Sequence, residues 1–279
     1  MKFTKMHGAG NDYIYINGFD TKVSDPAKLA KEISDRHFGV GSDGMILILP
    51  SKVADVRMRM FNADGTEAEM CGNGLRCVGK YVYDHSLIRK QHITVETGAG
   101  ILALDMSMNA KGHVNRVRVN MGRPKLSRGE VPMTGPSQER FVDQELSVLD
   151  RTFQATCVSM GNPHCVIYIE NIENFPVHLY GPAIENLPDF PQRTNVEFVE
   201  VLDLTEVRQR TWERGAGETL ACGTGAAAVT VAGVLTGRTS RTLLNHLLGG
   251  DLEMEWDGEN DVFMTGPAVE VFSGEYGPR

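Results

Sequence analysis

Two short stretches of this chain place a thiol where a helix could begin. Residues 70–77 read MCGNGLRC and residues 221–228 read ACGTGAAA. In each, a cysteine precedes two glycines with one small polar residue between them. A helix N-terminus leaves backbone N–H groups unpaired and carries about half a positive charge. A cysteine there deprotonates more readily, and an anion binds there through the free N–H groups. Glycines remove the side chains that would block that approach. Two such mouths addressing one substrate suit the transfer of a proton from one face of a carbon to the other. One thiolate removes an α-hydrogen and the opposite thiol returns a proton, so the two sulfurs start in opposite protonation states. The enolate-like charge on the neighbouring carboxylate is met by N–H groups already aimed at it. The scheme needs no metal and no pyridoxal lysine, and no motif for either stands out. Cys71 and Cys222 are the candidate acid/base pair, and Cys77, Cys157 and Cys165 read as small buried hydrophobes.

The elements that must hold these thiols are written twice. Gly10-Asn11 in GAGNDYIYI aligns with Gly161-Asn162 in SMGNPHCVIYI, and VRMRMFNADGTEAEMCGNG from Val56 aligns with VRQRTWERGAGETLACGTG from Val207. Val56, Arg57, Arg59, Glu67, Cys71, Gly72 and Gly74 meet Val207, Arg208, Arg210, Glu218, Cys222, Gly223 and Gly225, without a gap and at the offset that separates Cys71 from Cys222. Gly98 meets Gly249 at that same offset. A duplicated unit is the economical account. Short apolar runs bounded by Gly, Asn and Pro predict many strands: about 2–6, 13–17, 45–49, 56–61, 92–96, 101–106 and 114–120, then 155–160, 165–169, 196–202, 206–212, 251–256 and 261–265. A helix follows each Cys-Gly-x-Gly. The one over about 224–236 is Ala/Val-rich on every side and ends at Gly237, which predicts a fully buried helix. Another, about 26–36, has Asp25 as its cap and Pro26 in its first turn. The Pro/Gly-punctuated NMGRPKLSRGEVP marks a boundary. The first half is expected over 1–121, with 266–279 returning to it, and the second over 122–265. The fold class is α+β: two similar domains, each a mixed or antiparallel sheet or barrel wrapped around a central helix, with the active site expected in a cleft between them.

The bulk numbers fit a folded soluble protein. The chain has 279 residues, 41% apolar and 23% charged, with a formal net charge of −8. That charge, with no Lys/Arg run, weighs against nucleic-acid or anionic-membrane partners. MKFTKMHGAG holds no signal-like apolar stretch, and an odd count of five cysteines suits reduced thiols in the cytoplasm.

MHGAGNDY, RMFNADGTEAEMCGNGLRC, SMGNPHCV, RTNVEF and RTWERGAGETLACGTGA together resemble the diaminopimelate epimerase family, cofactor-independent two-cysteine epimerases, over essentially the whole chain. The paired CGxG phrases alone indicate only the wider racemase superfamily. The resemblance implies interconversion of LL- and meso-2,6-diaminopimelate for lysine and peptidoglycan precursors, with no cofactor, no metal and a homodimeric assembly. It implies that Cys71 takes the proton from the LL-isomer while Cys222 donates, with roles reversed for the meso-isomer. Gly72, Asn73, Gly223 and Thr224 would give backbone N–H groups to the reacting carboxylate. Asn11, Asn62, Asn162 and Asn195 would line the rest of the pocket, with Arg214 near the far carboxylate and Glu213 on the substrate amine. His164 and Glu213 would tune the thiols. Some members carry Gln where Gly44 stands here, so a side-chain contact is missing at that position. Two rivals share the paired thiols: a proline or hydroxyproline epimerase, and a thiol redox protein. A non-catalytic amino-acid binder ranks behind them.

Overall fold

A computed structural model describes residues 1–277; Pro278 and Arg279, the last two residues of the segment expected to return to the first half, lie outside the described residues. Two compact units partition the chain, one over residues 1–120 with 265 onward and the other over residues 121–264. The first unit runs β1 (Lys2–Gly8), β2 (Asn11–Asn17), α1 (Pro26–Ser34), β3 (Gly44–Leu49), β4 (Val56–Asn62), β5 (Glu67–Ala68), α2 (Gly72–Asp84), β6 (His92–Thr97), β7 (Gly100–Met108) and β8 (Val114–Asn120). The second runs β9 (Gln144–Val148), β10 (Arg151–Ser159), β11 (Pro163–Tyr168), α3 (Val177–Glu185), β12 (Asn195–Val201), β13 (Glu206–Glu213), β14 (Gly217–Thr219), α4 (Gly223–Thr236), β15 (Thr242–Leu247) and β16 (Gly250–Glu255). β17 (Phe263–Pro267) leads back into β18 (Val269–Glu275) of the first unit. The result is a sheet-rich α+β protein, and among the described residues no helix is long and apolar enough to cross a membrane.

Within each unit the strand ladder has one pattern. The first is ordered β18–β1–β2–β3–β4–β6–β7–β8, with β5 hairpinned onto β4. The second is β9–β10–β11–β12–β13–β15–β16, with β14 on β13. Neighbours are antiparallel except β2/β3 and β4/β6 in the first and β11/β12 and β13/β15 in the second, which are parallel. Parallel neighbours cannot be joined by a tight turn and need a crossover, usually a helix. That requirement explains the four α-helices among the described residues: α1 and α3 serve the first parallel pair of each unit, and α2 and α4 the second. The crossover helices pack on strands of their own unit, α2 on β1, β2, β7 and β8, and α4 on β10, β11, β12, β15 and β16.

Sequence explains the packing. α4 is built from Gly, Ala, Val and Thr with one Leu, and its residues from Gly223 to Gly233 are almost all buried, leaving no polar face. It stops at Gly237, whose left-handed φ of 67° is the conformation glycine adopts without strain. The amphipathic α1 lays Ala30 and Ile33 on Ile14, Ile16, Met45, Leu47 and Phe61. In the second unit Phe153, Phe175, Tyr180 and Phe198 form an aromatic core, with Phe175 and Phe198 centroids 4.7 Å apart. α3 is absent from the sequence expectation because Gly181 and Pro182 interrupt its pattern; Gly181 is required there, since a Cβ would meet the Trp212 ring at 2.6 Å.

Gly44 has a similar cause. A Cβ at this position of β3 would lie 2.2 Å from the Phe61 carbonyl oxygen and 3.0 Å from Cε1 of Tyr13. The row Tyr13–Gly44–Asn62 across β2, β3 and β4 leaves no room for a side chain. Gly44→Ala is expected to destabilise the fold by about 1–3 kcal/mol through overpacking. Urea unfolding checks this, and a change below about 0.5 kcal/mol, the scale of a neutral surface substitution, would show that the strands yield freely.

Candidate functional site

In the first unit Cys71 is the N-cap of α2, with extended backbone (φ −140°, ψ 120°). Its Sγ accepts from the Gly74 amide at 3.5 Å and donates to Asn11 Oδ1 at 3.2 Å. Asn73, in the first turn of the helix, donates to the same Asn11 oxygen at 3.4 Å. Asn11 is itself fixed from behind, giving Nδ2–H to Asp43 at 2.7 Å. The strand pair β1/β2 supplies this geometry: Asn11 opens β2 opposite Gly8, directly after the tight Ala9-Gly10 turn. Asn62 ends β4, two strands along from β2, and donates to Thr66 Oγ1 at 3.0 Å in the turn that follows.

Two residues around Cys71 were not singled out from sequence. The Tyr13 hydroxyl interacts with both Cys71 and Asn11; burial pushes its pKa well above the usual range, and the nearby Cys71 sulfur adds to this. Arg76 is fully buried in α2, where its Nε donates to the Pro267 carbonyl at 3.1 Å. Burial lowers the Arg76 pKa, while Cys77 and Cys71 work against that shift, so a guanidinium charge lies behind this helix mouth. An arginine inside a helix gives no sequence signal of this kind, because only the tertiary packing decides whether its head reaches water.

The second unit repeats the cap. Cys222 is the N-cap of α4 (φ −119°, ψ 110°), and its Sγ accepts from the Gly225 amide at 3.3 Å. Thr224 Oγ1 lies 3.4 Å from the sulfur, and Asn162 Nδ2 donates to that hydroxyl oxygen at 3.3 Å. His164 is buried, with Nε2 3.0 Å from Asn162 Oδ1 and Nδ1 2.8 Å from Glu197. Asn195 donates to the Pro163 carbonyl at 2.7 Å and accepts the Arg214 amide at 2.9 Å. Arg214 itself is exposed, with one guanidinium N–H on the Gln192 carbonyl at 3.0 Å. Glu213 accepts from Thr219 at 2.6 Å. The Cys222 thiol is pushed well up by burial first, then by the Glu213 and Glu197 carboxylates; the Thr224 and Gly225 hydrogen bonds pull it down.

Cys71, Asn11 and Asn73, with Gly72 opening the helix, therefore form one cluster in the first unit, and Asn62 stands apart at the end of β4. Cys222, Thr224, Asn162 and His164 form the other, with Gly223 opening the helix. Asn195 and Arg214 share a bond beside it, and Glu213 acts on Cys222 through its charge. The direct partner of His164 is Glu197, a residue not chosen from sequence: the parallel β11/β12 register sets His164 opposite Asn195, two residues before Glu197. Cys77, Cys157 and Cys165 are buried, and all five cysteines are free. Each cluster offers a sulfur at a helix mouth, backbone amides directed out of that helix end and an asparagine as donor and acceptor, which is the equipment for moving a proton at a carbon next to a carboxylate.

Comparison with known proteins agrees with this chemistry. The family model described as diaminopimelate epimerase matches residues 3–127 and 156–271. A diaminopimelate epimerase of Acetivibrio thermocellus is 54% identical over 276 residues, 99% of this chain and 98% of the relative. One from Methanococcus maripaludis is also 54% identical, with 99% of each chain covered. Among solved structures, a Bacillus anthracis phenazine biosynthesis protein of the PhzF family superposes with a TM-score of 0.72 at 17% identity, over 99% of this chain and 98% of that one. A hydroxyproline epimerase from Agrobacterium vitis gives 0.67 at 16% identity, over 98% and 91%. At such identities these two structures establish a shared fold and nothing about substrate. The family match and the near-identical lengths of the relatives carry the assignment: the chain belongs to the diaminopimelate epimerase family.

Proposed function

We propose that this chain interconverts LL- and meso-diaminopimelate by passing the α-proton between Cys71 and Cys222. The observation that carries the proposal is the duplicated cap: each sulfur receives the amide of the third helical residue, at 3.5 Å in one unit and 3.3 Å in the other. An N-cap is normally Ser, Asp or Asn, whose oxygens accept more strongly than sulfur. A thiol at both caps is therefore better explained by proton chemistry than by helix stability.

In this mechanism one sulfur starts as thiolate and removes the α-hydrogen, and the other starts as thiol and delivers a proton to the opposite face. Turnover leaves the pair with exchanged states, so the product enzyme runs the reverse reaction. The carboxylate gains charge as the proton leaves, and backbone amides of Gly72 and Asn73 with Gly223 and Thr224 are the donors proposed to receive it. Asn11 and Asn162 hold the amino-acid head, and Arg214 offers a two-pronged donor for the distal carboxylate. The polar set rejects an amino acid lacking the distal head, because buried donors left unpaired cost binding energy. A reducing cytoplasm suits thiols that must stay free.

The purified chain, reduced and without added cofactor, is expected to convert LL- to meso-diaminopimelate and to leave trans-4-hydroxy-L-proline unchanged. Turnover of the proline substrate alone would overturn the assignment. Cys71→Ala and Cys222→Ala are each expected to lower kcat by about 10³-fold, within the range for loss of a positioned acid or base, with far-UV circular dichroism unaltered. Near-normal activity in either variant would remove that cysteine from the mechanism.

Two bases also predict an isotope pattern. In heavy water, early solvent deuterium is expected in the inverted product and not in recovered substrate. Equal early labelling of both would indicate one shared base.

A further inference from the structure

An unbroken line of hydrogen bonds runs to Cys222 from the interior of the second unit. Glu197 Oε1 lies 2.8 Å from His164 Nδ1, His164 Nε2 lies 3.0 Å from Asn162 Oδ1, Asn162 Nδ2 donates to Thr224 Oγ1 at 3.3 Å, and that oxygen lies 3.4 Å from Sγ. Glu197 and His164 are both 0% exposed. Both ring nitrogens face oxygen atoms, and Nε2 must donate to Asn162 Oδ1, because an amide oxygen only accepts. With its carbonyl occupied by the ring, Asn162 turns its N–H toward Thr224. Thr224 Oγ1 then accepts on that side, and its own hydrogen is left for the sulfur.

The repeat shows that packing does not require the carboxylate. Gly74 in α2 and Gly225 in α4 occupy the same position behind their cysteines. A Cβ on Gly74 would meet Ile46 Cδ1 at 2.6 Å, and one on Gly225 would meet Glu197 Oε1 at 2.6 Å. The same slot thus holds a methyl group in one unit and a charged group in the other. The place of His164 is taken by Tyr13, opposite Gly44 as His164 is opposite Asn195. A buried carboxylate costs desolvation that isoleucine does not.

We propose that Glu197 is a positioning residue of the Cys222 half-site: through His164 and Asn162 it fixes the direction of the chain so that the Thr224 hydroxyl donates to Sγ and stabilises the thiolate. The inference rests on the catalytic role proposed for Cys222. Among the described residues, the other charged group acting on this sulfur is Glu213 on β13, and the His164 imidazole on β11 reaches it through Asn162 and Thr224. β10 and β11 add the buried thiols Cys157 and Cys165, β15 faces inward with uncharged Asn245, and β16 with Leu252 and Met254.

Glu197→Gln tests it. An amide, unlike the carboxylate, can donate to Nδ1 as well as accept from it, so the ring is free to present a lone pair at Nε2, which turns the Asn162 amide over and draws the Thr224 hydrogen away from sulfur. The pH midpoint of Cys222 alkylation by iodoacetamide, read by peptide mass spectrometry without substrate, is expected to rise by about half a unit or more, the scale of one neutral hydrogen bond. The Cys71 midpoint stays in place. kcat falls about 10-fold in both directions with KM within about twofold, as loss of a bond that matters in the transition state requires. A Cys222 midpoint that falls, as removal of a nearby negative charge alone would cause, overturns the proposal, and so does an unchanged midpoint. Thr224→Val provides the same readout without disturbing the buried pair: it should raise the midpoint equally, Thr224→Ser should not, and a shift shared by Val and Ser would defeat the chain. Because alkylation needs no turnover, failure of the epimerase reading would appear separately, as a wild-type chain that does not epimerise diaminopimelate.

Discussion

The structure depends on one junction, made twice: a strand pair that must run parallel, and the crossover helix that makes it possible. β4 and β6 lie parallel only because α2 carries the chain back, and β13 and β15 only because α4 does. Each helix must start where its small hairpin, β5 on β4 or β14 on β13, releases the chain. The cap at that point is therefore held by the sheet on one side and by a buried helix on the other. A loop would let a sulfur wander. Here the thiol is placed to the accuracy of a helix start, with the first amides of α2 and α4 unpaired by any helical carbonyl.

Choosing sulfur as the cap weakens the helix end by something near the about 1 kcal/mol that an oxygen cap provides. The fold offsets this by burial: α2 hides Leu75, Cys77, Val78 and Val82, and α4 hides nearly its whole circumference. The glycine at the third helical position serves the same junction. It lets a strand side chain, Ile46 or Glu197, press against the helix mouth from behind.

Around this common frame the two units differ where chemistry would demand it. Cys71 has the Asn11 carbonyl in front and the Arg76 guanidinium charge behind, while Cys222 has a hydroxyl in front and a His–Glu pair behind. Asn11 is anchored by Asp43 within an exposed cluster with Arg36, and Asn162 by a histidine without solvent access. A backbone that repeats and an electrostatic setting that does not suits the proposed exchange, in which the two sulfurs hold opposite protonation states.

Much of this was legible in the chain alone. Short or alternating apolar runs marked most of the longer strands, though not β9 or β15, Asp25-Pro26 marked the start of α1, and the Ala/Val run closed by Gly237 marked a buried helix. These signals are local: side-chain period, cap chemistry and backbone freedom act over a few residues, so the order of amino acids determines them. The duplication was legible because identical spacings survive where a turn or a cap tolerates few residues. α3 escaped, since Gly181 and Pro182 read as breakers until Trp212 is known to lie against them. The partner of His164 escaped as well. Glu197 is 33 positions away, and only the parallel register of β11 on β12, set by a crossover through α3, brings its carboxylate to the imidazole. The reason is general: sequence determines which elements form and which groups they carry, whereas the neighbour of a buried charge is decided by register between distant strands, a property that exists only once the chain has closed on itself.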